Sequence, residues 1–394
     1  MKSTFKKTRL SIAIAASAFF VSGAVVADTN AEIQNLKKRI AQLEQSTIAQ
    51  STIAQSTVAQ SASAPTESKS IEINISGVVE IEAGYVRNDG YDGKTSSDIV
   101  VATAALAFEA DVTEGVNVQI GLLHEEDDTD LEVDEAHISF ERGIMFASAG
   151  QVYVPFGGFA SNLVSDPLTL DLGETRETAV EMGVNVGPAA ASIYVFNGDV
   201  DDNAATERNK TEMYGVSLAL ADGDDNFSYE FGLDYISSIA DTDTLQEAVV
   251  GGAIDDYVAG VSIDASVVIG TANVNLEYTT ARDEFEASEL AFNAKGAKPA
   301  AFNVEVGYVV NVVGFETQLA ASYQRTKEAL ALGLPEKRIA FAASTLIAEN
   351  TSLSVELARD YDYGQADTGT AEETDAEGTG ETSNMATIQL AVAF

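Results

Sequence analysis

Beyond residue 70 the chain alternates apolar and polar positions with a period of two. Phe302, Val304, Val306, Tyr308 and Val310 share one face, while Asn303, Glu305, Gly307 and Asn311 share the other. Val274, Leu276 and Tyr278 alternate in the same way with Asn273, Asn275 and Glu277. Tyr229, Phe231, Leu233 and Tyr235 alternate with Glu230 and Asp234, and Leu353, Val355 and Leu357 with Ser354, Glu356 and Asp360. This period predicts strands with one apolar face. Counting the runs gives about sixteen strands. The last of them, Asn384–Phe394, runs to the final residue with Ile388, Leu390, Val392 and Phe394 on one face. An exposed apolar edge invites aggregation, whereas a barrel that closes on this strand has no edge.

The connections support closure in a membrane. Short ones are expected at Val112–Gly115, Gly143–Met145, Gly187–Pro188, Asp222–Asn226, Gly270–Ala272, Val312–Gly314 and Glu349–Thr351. They alternate with longer polar ones at Asn88–Ser97, Glu126–Asp130, Pro155–Glu177, Asn197–Lys210, Asp241–Asp256, Asp283–Ala300, Lys327–Pro335 and Tyr363–Ser383. Short turns at one rim and long loops at the other are the pattern of an outer-membrane barrel. The fold class is therefore all-β, a transmembrane antiparallel up-and-down barrel (residues 71–394). A leader and a short helical coiled-coil segment precede it.

The leader is read at 1–27. Lys2, Lys6, Lys7 and Arg9 precede an apolar run from Leu10 to Val26, with cleavage expected after Ala27. Residues 28–70 form a separate periplasmic module. Ile33, Leu36, Ile40 and Leu43 follow a three-four-three seam, then STIAQ, STIAQ and STVAQ repeat before a linker containing Pro65. A spacer and an extended coil both fit the repeat.

Charge sharpens the picture. The chain has 62 acidic and 22 basic residues, no cysteine and a formal net charge of −40. Such a surface excludes nucleic acid as a partner and leaves no disulfides. With the apolar face toward lipid, Glu80, Glu82, Glu109, Glu135, Glu181, Glu230, Asp264, Glu277, Glu305, Glu316 and Glu356 fall in the lumen. The third long connection, Pro155–Glu177, is the candidate constriction, with Asp166, Asp171, Glu174, Arg176 and Glu177 as its charged groups. The remaining acidic clusters read as solvated. Asp127–Asp130 with Glu132, Asp134 and Glu135 lacks the glycine of a calcium loop, and the Tyr363–Ser383 loop is expected to float above the barrel. His137 and Ser139 lie two apart on one face, like the pair of outer-membrane phospholipases, but in the lumen rather than toward lipid. No catalytic residue, metal site or cofactor is assigned, and the chain is read as not an enzyme.

Four segments carry a family resemblance: Leu122–Glu135 (LLHEEDDTDLEVDE), Ala149–Gly157 (AGQVYVPFG), Ser165–Thr178 (SDPLTLDLGETRET) and Ser192–Asp199 (SIYVFNGD). They resemble the LbtU-type siderophore porins. The resemblance implies a barrel that passes ferric siderophores passively, without a plug domain. Expected partners are a ferric siderophore and outer-membrane lipid, with trimers usual for such barrels. An acidic lumen opposes an anionic ferric complex, so cargo binding is either local to a few groups or directed to neutral or cationic solutes. A general cation-selective porin and an envelope protein tethered by its coil are the alternative functions.

Overall fold

The structure, a computed structural model, describes residues 71–88, 95–125, 131–202, 211–224, 226–249, 252–371 and 374–394. The leader, coil and repeat expected at 1–70 lie outside them, as do Asp127–Asp130. Sixteen strands close into one barrel, each pairing antiparallel with its neighbours in chain order. They are β1 (Ile73–Asn88), β2 (Thr95–Thr113), β3 (Val116–Glu125), β4 (Glu132–Arg142), β5 (Met145–Tyr153), β6 (Arg176–Val186), β7 (Ala189–Phe196) and β8 (Met213–Asp224). They continue as β9 (Phe227–Ile236), β10 (Gly260–Ile269), β11 (Ala272–Ala281), β12 (Ala300–Val312), β13 (Phe315–Lys327), β14 (Lys337–Ala348), β15 (Thr351–Tyr361) and β16 (Thr382–Ala393). The ring closes where β1 pairs with β16, from Val78 opposite Ala393 to Asn88 opposite Ser383. Phe394 and Gly77 then exchange two backbone hydrogen bonds of 3.0 Å.

The seven short connections become tight hairpins, six of them within a residue or two of the predicted turns. At the turn expected over Asp222–Asn226 the ladder extends further, with Asp224 opposite Phe227. The backbone twist of these hairpins requires positive φ, supplied mostly by glycine. Val313 is the strained member, a β-branched residue at φ 54° before Gly314. Outward positions carry Val79, Ile81, Phe231, Leu233, Val306, Phe341, Val355 and Leu390, most of them exposed. An apolar belt of this kind belongs in lipid rather than water.

A barrel of this size is expected to hold water, yet one side of the long-loop mouth is packed. Tyr194, Phe196, Met213, Ile236 and Ala281 point inward from their strands. They form one buried cluster with Phe156 and Leu172 of the third loop (L3), Ile239, Leu245, Val249, Ile254 and Val258 of residues 237–259, and Phe285 and Leu290 beyond β11. Nor does the Tyr363–Ser383 loop float free. Thr368–Ala371 and Thr374–Glu377 form a hairpin that joins Ala291–Phe292 and Lys295–Gly296 in a four-stranded sheet. The Tyr363 hydroxyl lies 2.8 Å from Thr326 Oγ1 and accepts the Ala329 N–H at 3.0 Å. Polar loop composition concealed this ordering, because backbone pairing between loops leaves no periodic signature.

Candidate functional site

L3 leaves β5 at Tyr153 and folds into the lumen. Pro155 ends the strand ladder, and Gly157 takes φ 101°, where a Cβ would meet the Phe159 ring at 2.3 Å. The loop then follows the inner wall across β9–β15, fastened by wall side chains that accept its N–H and O–H groups. Asp234 Oδ2 accepts from Gly157 N at 3.0 Å. Glu277 accepts from Gly158 N at 3.0 Å, Phe159 N at 3.3 Å and Thr169 Oγ1 at 2.7 Å. Glu305 accepts from Ser161 Oγ at 2.8 Å and Asn162 N at 2.7 Å, and closely from Asn162 Nδ2. Glu356 accepts from Val164 N, Ser165 N and Ser165 Oγ at 2.6, 3.0 and 2.6 Å. Gln324 Oε1 takes Leu168 N at 2.8 Å, where the helix α1 (Leu168–Gly173) begins.

These contacts change the role of three acids expected in the open pore lining. Glu277 and Glu305 do face inward, but L3 covers them to 4% and 0% exposure. Glu356 is covered to 3%. They hold the loop instead of facing passing ions. Glu230 remains exposed, and Glu181 and Glu135 are half-buried, the latter accepting a hydrogen bond from Gln119 at 3.0 Å. The inner face of β1–β6 is left opposite L3.

Asp166, Asp171 and Glu174 lie on the inserted loop. Asp166 interacts electrostatically with Glu125 and Glu80 of the opposite wall as well as with Asp171, and Glu174 interacts with Asp243, Asp166 and Glu125. Burial, then these neighbours, raises the Asp166 and Glu174 carboxyls well above the usual carboxylate range. Burial lifts Asp171 to about 6 despite the opposing pull of Arg338. Asp243, at the start of the helix α2 (Asp243–Ala248), is lifted to about 7 by burial and accepts the Arg176 N–H at 3.1 Å.

Two arginines balance this cluster only in part. Arg176 Nη1 contacts Glu132 Oε1 at 2.5 Å and Asp134 Oδ1 at 3.1 Å. The Tyr153 hydroxyl donates to the same Asp134 oxygen at 2.7 Å. Its charge is thus spent on the wall, which fixes the base of L3 instead of offering an open fork to an anion. Glu177 is buried beside it on β6, with Oε1 lacking a hydrogen-bond partner among the described residues. Arg338, absent from the sequence-derived set, faces inward from β14 and grips Asp360 bidentately at 2.8 and 3.0 Å. Asp360 is expected on the polar face, and the strand register sets Arg338 directly opposite it. His137 and Ser139 lie in register with Gln119 and Asn117 on the inner face. His137 Nδ1 has no hydrogen-bond partner among the described residues. Among them no group of side chains has metal-ligand geometry.

Comparison with solved structures identifies the architecture. The anion-selective porin from Comamonas acidovorans superposes with a TM-score of 0.57 at 15% identity, over 82% of this chain and 100% of that one. The outer-membrane channel DcaP of Acinetobacter baumannii gives 0.56 at 14% identity, over 83% and 99%. The fold is a porin fold. In sequence the chain is similar to a UPF0422 protein of Legionella pneumophila (strain Philadelphia 1), 29% identical over 359 residues and 82% of this chain. It is also similar to a UPF0422 protein of Coxiella burnetii, 28% identical over 223 residues and 55% of this chain. The chain spans 66% of the length of the first relative and 48% of the second. No family model matches.

Proposed function

We propose that the protein is a passive, plug-less outer-membrane porin whose acidic constriction favours cationic and neutral solutes, and that ferric siderophores of such charge are its specific cargo. One observation carries the reading. L3 is latched inside the lumen, with Asp166 interacting with Glu80 and Glu125 of the opposite wall, Glu174 with Glu125, and both nearby arginines already paired. A narrow polar passage between low-dielectric walls concentrates counter-ions. The siderophore component rests on the resemblance. Three of its four segments supply this constriction: Leu122–Glu135 gives Glu125, Glu132 and Asp134, Ala149–Gly157 the entry to L3, and Ser165–Thr178 α1 and Arg176.

Liposomes containing the full chain test both levels. Entry of neutral or cationic ferric hydroxamates should saturate with concentration and exceed entry of anionic ferric citrate. Linear flux with charge preference alone would favour a general cation-selective porin. Faster ferric citrate uptake would overturn the proposed charge selectivity. A trimer is proposed as well, because one structural neighbour, OmpT of Vibrio cholerae, is described in a trimer form. Crosslinking in native membranes tests it.

A further inference from the structure

Among the described residues, outward-facing cations gather where β13–β16 meet β1: Arg325, Arg359 and Arg87 are exposed and Lys337 is half-buried. Arg325 on β13 lies directly opposite Lys337 on β14. Lys337 pairs with Tyr361 on β15, and two residues nearer the short turns Arg359 lies opposite Asn384 on β16. Asn384 in turn lies opposite Arg87 on β1. The four cations thus occupy two successive rows on β13, β14, β15 and β1 at the long-loop rim, with Asn384 of β16 between Arg359 and Arg87. The row beneath is apolar: Phe341, Leu357, Ala386 and Tyr85.

Like charges directly opposite each other across a ladder are destabilising unless an anion joins them. Arg325 has one carboxylate partner, Glu336 at 3.0 Å, and both remain well exposed. Lys337 and Arg359 share the Tyr361 ring, at 3.6 and 5.3 Å from its centroid. Arg359 also donates to Thr382 Oγ1 at 3.1 Å. Among the described residues neither Lys337 nor Arg359 forms an ion pair. The ring holds both heads at the boundary between the apolar belt and water, where a lipid headgroup lies. Strand spacing of about 4.8 Å brings Arg325, Lys337 and Arg359 within reach of one phosphate.

We propose that this face of β13–β16 and β1 binds the phosphates of an outer-leaflet glycolipid. The apolar row takes the acyl chains and the two cationic rows take the headgroup. The site lies outside the pore, so its failure would leave the permeation reading intact.

Full-length protein in detergent, titrated with fluorescent diphosphoryl lipid A, tests it. Wild-type protein and an Arg142→Gln control at the opposite rim should bind alike. The triple variant Arg325→Gln/Lys337→Gln/Arg359→Gln should bind at least tenfold more weakly, while keeping heat-modifiable migration and wild-type conductance. Dephosphorylated lipid A should bind wild-type protein as weakly as diphosphoryl lipid A binds the variant. Unchanged binding by the triple variant would overturn the proposal, as would equal binding of the dephosphorylated lipid. So would displacement by millimolar inorganic phosphate, which would mark a simple ion site. A changed oligomeric state with lipid A binding retained would assign the face to a second copy instead.

Discussion

Glu277 takes three hydrogen bonds from L3 and is almost fully covered, so its carboxylate acts on the loop before it acts on any ion. Glu305 does the same one strand along. Hydrogen bonds to a charged acceptor contribute about 1.5–3 kcal/mol each. Replacing both residues by glutamine turns an acceptor into a donor at each latch, and L3 should loosen. Planar-bilayer recordings should then show larger, noisier single-channel conductance. Unchanged conductance with reduced cation preference would return both acids to the role of open pore lining. Val313 offers a second test, independent of the pore. Its left-handed backbone costs a β-branched residue on the order of 1–3 kcal/mol, so Val313→Gly should relieve strain at an exposed turn. Its loss of unfolded-state restriction offsets part of the gain. A net rise in the urea midpoint is expected.

L3 and the start of α2 beside it are the elements on which pH acts. Asp171, lifted to about 6, and Asp243, lifted to about 7, are largely ionised at pH 8 and protonated at pH 5. Asp166 and Glu174 are shifted in the same direction. The constriction therefore gains negative charge as pH rises, and cation preference under a low-salt gradient should fall between pH 8 and pH 5. A flat profile would remove these residues from the current path. Stability runs the other way. A carboxyl whose pKa is raised by folding binds its proton more tightly in the native state, so its contribution is lost as pH rises through 6–7. L3 should resist proteolysis better at pH 5 than at pH 8. The acids of L3 were legible in the sequence because they sit in one long polar connection between strong strands. The latches were not. A glutamate on the lumen face reads the same whether water or a backbone N–H meets it. The sheet shared by Ala291–Gly296 and Thr368–Glu377 was hidden for a similar reason, since its pairing partners lie on separate polar loops.

At the scale of the molecule, alternation carried the fold because lipid outside and water inside impose opposite polarity on successive residues. The strand count and the hairpins followed from this, with glycine marking most turns. The filled side of the mouth did not, because Tyr194, Phe196 and Ile236 occupy lumen positions that the pattern would reserve for polar groups. Closure remains the step on which the whole barrel depends. Phe394 exchanges both backbone hydrogen bonds with Gly77, and its ring occupies the space that a Cβ at Gly77 would enter at 2.7 Å. Deleting Phe394 removes both bonds and the ring, while Gly77→Val forces the ring and the Ala105 carbonyl apart. Both variants should lower the yield of heat-modifiable barrel in detergent refolding. Deleting Thr368–Glu377 should preserve that yield, because among the described residues no barrel pair involves that segment. Equal refolding yields for the Phe394 deletion and wild type would show that the ring closes without its last residue.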